Sequence, residues 1–114
     1  MTLTGKWKYK EDYGYGEAEG ELILEQEGDR LSGRIIFTDW IEDGDSYMIQ
    51  EFLDGVIEEK KVKLDAQSYD IIHSERTLHY ELDSWFGILV DDRTILGMSM
   101  DEQGIEGHFI FEKI

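Results

Sequence analysis

The sequence contains no cysteine and no proline. Without cysteine there is no disulfide framework, no thiolate metal site and no cysteine nucleophile. Without proline, glycine alone punctuates the chain, at 12 positions. Basic residues are also few: 11 Lys+Arg against 27 Asp+Glu leave a formal net charge of −16. That balance argues against nucleic acid, whose phosphates would be repelled, and against anionic membrane surfaces. No apolar run approaches the ~20 residues of a membrane-spanning helix. The N-terminus lacks the apolar segment of a signal peptide, so a cytoplasmic protein is expected. What the chain does have is 40% hydrophobic and 12% aromatic residues in 114 positions, enough for one core and one domain spanning 1–114.

No 3.6-residue apolar stripe persists beyond two turns, whereas alternation with a period of two runs from end to end. It predicts eight strands, at about 5–11, 17–27, 30–38, 47–58, 61–72, 77–90, 93–101 and 105–113. In the first, Trp7 and Tyr9 share a face opposite Lys6, Lys8 and Lys10. In the second, Leu22 and Leu24 share a face opposite Glu17, Glu19, Glu21 and Glu25. Gly28-Asp29, Glu59-Lys60, Asp91-Asp92 and Gln103-Gly104 supply tight turns, so consecutive strands form an antiparallel meander. Gly33, Gly55, Gly87, Gly97 and Gly107 each stand inside an apolar strand, where glycine is costly unless the sheet bends sharply. Closure demands such bending. The expected fold is therefore all-β, an eight-stranded antiparallel up-and-down β-barrel, with a flat sandwich as the alternative.

Gly5-Lys6-Trp7 resembles the Gly-x-Trp opening of lipocalins, members of the calycin superfamily. The end, from Gly107 to Ile114, is similar to the last strand of avidins. As a whole the chain looks like a small bacterial lipocalin-like domain. The resemblance implies a barrel open at one end, binding a small, mostly apolar molecule, with Trp7 packed across the closed end. Tyr9 and Phe109 stand where avidins hold biotin through polar groups, so the resemblance does not extend to biotin.

Within the barrel reading, Tyr9, Tyr80 and Ser84 are candidate groups to orient a ligand by hydrogen bonds, and Phe37, Phe109 and Phe111 its apolar walls. No catalytic residue, cofactor or metal is expected. There is no Gly-x-Ser-x-Gly elbow. His79 and Glu81, with His73 and His108 elsewhere, are read as solvated surface rather than a metal site. Asp39 to Asp45 has two acids and a glycine at calcium-loop spacing, but Ile41 and Gln50 occupy positions that require oxygen ligands of the right kind. The abundant acids are read as an outward, solubilising face. The final three predicted strands are apolar in both phases: Trp85 and Leu89 oppose Phe86, Ile88 and Val90, and Leu96, Met98 and Met100 oppose Ile95. One set must remain outside, which predicts a homo-oligomer formed through that face. The alternative function is accordingly a self-associating interaction module whose lumen is filled.

Overall fold

A computed structural model describes residues 2–14, 16–41, 46–74 and 80–114. The strands are β1 (Gly5–Asp12), β2 (Gly16–Glu27), β3 (Arg30–Ile41), β4 (Ser46–Glu58), β5 (Lys61–His73), β6 (Asp83–Asp91), β7 (Thr94–Asp101) and β8 (Glu106–Lys113). Each pairs antiparallel with the next, and β1 pairs with β8 from Trp7↔Lys113 to Asp12↔His108. The sheet therefore closes: this is an up-and-down barrel, and the sandwich is excluded. Glycine makes the curvature feasible. A Cβ on Gly97 would lie 1.9 Å from the Phe86 carbonyl oxygen, and one on Gly33 1.9 Å from that of Ile23. Backbones approach there more closely than any side chain permits.

Two strands depart from expectation. β3 runs three residues further, to Ile41, which brings Asp39 into the sheet. β6 begins at Asp83 rather than Thr77; residues 80–82 are not strand, and Thr77 to His79 lie outside the described residues. β5 pairs with β4 over nearly its whole length but with β6 only from Lys61 to Asp65. The outer half of β5 is thus held by β4 alone, with Tyr69 half-buried against the core.

The two ends of the barrel differ because the connections do. β2–β3, β4–β5 and β6–β7 are joined by two-residue turns at one end, whereas 74–82 alone spans nine residues at the other. At the tight-turn end the lumen is plugged. Leu3, Trp7, Leu22, Leu24, Leu64 and Ile95 are wholly buried, and the Trp7 indole N–H donates to the Leu3 carbonyl at 3.0 Å. Leu3 is itself anchored through its backbone N–H to the Gln26 side chain. Lys113 lies over the Trp7 ring, 5.8 Å from its centroid. Inward and outward phases alternate, interrupted in β5 by register shifts against β4, and they settle β6: Trp85, Gly87 and Leu89 point in, while Phe86, Ile88 and Val90 point out.

Candidate functional site

The inward phase of several strands continues, toward the long-loop end, from apolar residues into acids. On β1 the series Trp7, Tyr9 ends in Glu11. On β3, Ile35 and Phe37 lead to Asp39. On β4, Glu51 stands between Ile49 and Leu53, and on β6 Asp83 precedes Trp85 in phase. Period-two geometry therefore forces four carboxyl groups, from four strands, into one end of the lumen. Glu11, Asp39 and Asp83 line a chamber of about 80 Å³ together with Tyr9, Phe37 and Tyr80, and Glu51 lies behind its wall, hydrogen-bonded to the Asp83 backbone. A larger depression of about 690 Å³ lies on the outer wall of β2–β5, open to solvent and remote from this chemistry.

Each acid has its own company. The Glu11 carboxylate accepts from the Tyr9 hydroxyl at 2.6 Å, the Trp85 indole N–H at 3.3 Å and the Ser99 hydroxyl at 2.7 Å. Gly107 makes room for it, since a Cβ there would sit 2.6 Å from Glu11 Oε2. Asp39 accepts from the Tyr13 hydroxyl and, at 2.8 Å, from that of Tyr47. Asp83 accepts from Tyr80 at 2.5 Å. Glu51 is wholly buried; its Oε1 accepts from the Asp83 backbone N–H at 3.2 Å, and its Oε2 has no hydrogen-bond partner among the described residues.

Burial dominates the electrostatics. It pushes Asp39 up to about 6 against the opposing hydrogen bond from Tyr47. It raises Glu11 despite three donors. Glu51 and Asp83 are both driven up, first by loss of water and, for Glu51, also by the neighbouring Asp83 charge. Two carboxyls so placed cannot both ionise cheaply, so they hold a proton between them at neutral pH. The tyrosine hydroxyls of Tyr9 and Tyr80 are raised well above 10 by the same burial and the same charges. No described lysine or arginine lines the chamber; Lys6, Lys8, Lys10, Lys61 and Lys63 face solvent, and Lys113 lies over Trp7 at the other end.

Of the residues singled out from sequence, Tyr9, Phe37 and Tyr80 come together at this chamber. Phe37 lies 5.6 Å from the Tyr9 ring and 6.2 Å from that of Tyr80. Phe109 and Phe111 are buried and packed on each other at 4.6 Å, and neither lines the chamber. Ser84 is a correction: it belongs to the outward phase of β6 and donates to Asp65 at 2.7 Å, because Trp85 takes the inward position. The reading of the acids as uniformly outward is also corrected; it holds for Glu17, Glu19 and Glu21 but not for Glu11, Asp39, Glu51 and Asp83. His73 and His108 are exposed on different strands, and His79 lies outside the described residues. Asp39 of the calcium-like segment turns inward to tyrosine hydroxyls, and residues 42–45 lie outside the described residues.

Solved structures with this architecture include designed proteins. The redesigned beta barrel mFAP1, bound to DFHBI, matches with a TM-score of 0.69 at 10% identity, over 97% of this chain and 94% of that one. The redesigned barrel mFAP0, also bound to DFHBI, gives 0.65 at 11% identity, over 97% and 98%. A third structure, from the de novo design of a fluorescence-activating beta barrel, gives 0.59 at 15% identity, over 98% and 94%. At such identities the likeness speaks for the fold: a closed, eight-stranded, antiparallel up-and-down barrel. No protein-family model and no curated protein sequence matches the chain. What stands is the barrel architecture alone; these comparisons assign the chain to no family.

Proposed function

We propose that this chain binds a small molecule at the long-loop end of its lumen and does not transform it. The observation that carries the reading is the chamber itself, a polar, tyrosine-walled recess set on the rigid strands of a closed barrel. Barrels of the same architecture, mFAP1 and mFAP0, are bound to the small ligand DFHBI. Fold alone does not fix function, so the chamber bears the weight. Its volume of about 80 Å³ is well below the ~300 Å³ at which whole-ligand pockets begin. What enters is therefore one end of a ligand, with the remainder at the mouth, rather than a mostly apolar body swallowed whole. A thermal-shift screen of small aromatic molecules, DFHBI included, tests this. At least one compound should raise the unfolding midpoint, and Tyr80→Phe should diminish the rise. No shift by any compound at millimolar concentration contradicts the reading.

A second reading rests on a different surface. Phe86, Ile88, Val90, Leu96, Met98 and Met100 are each 41–51% exposed. Register makes them contiguous, with Phe86 opposite Met98, Ile88 opposite Leu96, and Leu96 opposite Ile110. Such a patch is characteristic of a contact surface. Self-association through β6–β8 would cover it, and light scattering showing a monomer at all accessible concentrations contradicts that.

A further inference from the structure

Counting donors and acceptors in the chamber gives a lopsided result. An ionised carboxylate offers about four acceptor sites, and a hydroxyl or indole one donor. Glu11 receives three donors, Asp39 two, and Asp83 one from Tyr80. Those donors are then spent. Glu51 shows the deficit most plainly: it is 0% exposed, and its Oε2 accepts nothing from any described residue. The one proton that Glu51 holds with Asp83 covers only part of the deficit, and buried acceptors left unpaired are costly. The described lysines and arginines do not help, since none lines the chamber and the half-buried Lys113 lies over Trp7 at the opposite end. The chamber thus lacks what a ligand would have to bring, namely hydrogen-bond donors and positive charge.

We propose that the chamber receives the cationic head of an organic ligand, a guanidinium or an ammonium, whose N–H groups pair with Asp39 and Asp83 on its wall and with Glu51 behind Asp83. This deepens the small-molecule reading and rests on it. A planar guanidinium presents five donors and no acceptor, the complement of an acceptor-rich recess. The rings support the same chemistry. Tyr80 stands 6.1 Å from Tyr47, 5.7 Å from Tyr69 and 6.2 Å from Phe37, a cluster whose faces attract a desolvated cation. An inorganic metal ion fits less well, because among the described residues no three acidic or histidine side chains converge closely enough to hold one. An anion would meet only negative charge, and an apolar head would leave the acceptors unpaired.

The test compares benzylguanidinium with benzylurea, which has a similar shape and no charge, by calorimetric titration of the full chain. About 150 mM salt screens the −16 surface. Benzylguanidinium should bind at least ~10-fold more tightly than benzylurea, and Glu51→Gln should cost it ~10-fold or more. Glu19→Gln, exposed on β2, should change nothing. Circular dichroism confirms folding of each variant, and Asp39→Asn replaces Glu51→Gln if the latter does not fold. Equal binding of the two compounds overturns the cation proposal while leaving the binding reading intact. Binding that responds to Glu19→Gln but not to Glu51→Gln overturns it in favour of diffuse surface attraction. Calcium chloride that binds and displaces benzylguanidinium overturns it in favour of an inorganic cation. No heat from any compound removes both the proposal and the reading beneath it.

Discussion

At the tight-turn end of the barrel, Trp7, Leu22, Leu24 and Leu64 fill the lumen, and the Trp7 indole N–H is satisfied by the Leu3 carbonyl. At the long-loop end, one carboxyl oxygen of a wholly buried glutamate has no hydrogen-bond partner among the described residues, and the charges of Asp83 and Glu11 act on it. Both ends are built by the same alternation on the same strands, so the difference is one of side-chain chemistry. The plugged end buries apolar volume and contributes stability. The acidic end spends some of that stability on desolvated carboxyls.

The largest effect should come from damaging the plugged end. Trp7→Ala removes a large, fully buried side chain and a buried hydrogen bond, and should cost about 3–5 kcal/mol in urea unfolding. A loss below about 1 kcal/mol would mean that the plug is not the stabilising half.

The second effect sharpens the contrast through pH. Asp39 and Asp83 are raised in the folded chain, to about 6 and about 7, above their ordinary value of 3.8. Above pH ~4 the unfolded chain has released protons that the folded chain keeps, so stability falls as pH rises. That stability is fully present below about 4 and is lost as pH climbs through about 6 for Asp39 and about 7 for Asp83. The unfolding free energy read from urea titrations should decline from about pH 5 to about pH 8 by an amount on the order of 4 kcal/mol. Asp39→Asn and Asp83→Asn should flatten the decline, whereas Glu19→Gln should leave it. An unchanged slope in both asparagine variants contradicts the burial of these charges.

The smallest effect lies in a turn of the plugged end. Glu59 has φ 58°, the left-handed conformation that costs a side-chain-bearing residue about 1 kcal/mol and glycine nothing. Glu59→Gly should stabilise the chain by a few tenths to about 1 kcal/mol, read from the thermal midpoint. Destabilisation would show that the Glu59 side chain holds the turn.

The plugged half was the more legible one in the sequence. Trp7, Leu22 and Leu24 stand in clean alternation with lysine and glutamate, and the turn residues mark the strand ends. The acidic half was hidden by abundance: in a chain with 27 acids, a further glutamate invites the reading of surface. Phase held the missing signal, since Glu11 follows Trp7 and Tyr9 at spacing two, and Glu51 sits between Ile49 and Leu53. Ending the third strand at Thr38 excluded Asp39, although Phe37 already set its phase. Ser84 failed for a related reason. Strand six is apolar on both faces, so only closure of the barrel, with Trp85 reaching Glu11, decides which face turns inward. The start of β6 was misplaced because 80–82 carry apolar residues without strand geometry.

The claim that the two ends divide stability from binding is tested most directly at Glu51. Glu51→Met keeps an unbranched side chain of similar size and removes the buried, under-bonded carboxyl. Urea unfolding at about pH 7.5, with benzylguanidinium titrated into the same samples, reads both consequences at once. The account predicts a chain more stable than the parent by roughly 1–2 kcal/mol that no longer gains stability from the ligand. A Glu51→Met chain that is less stable than the parent, and is stabilised by benzylguanidinium as much as the parent is, would contradict it.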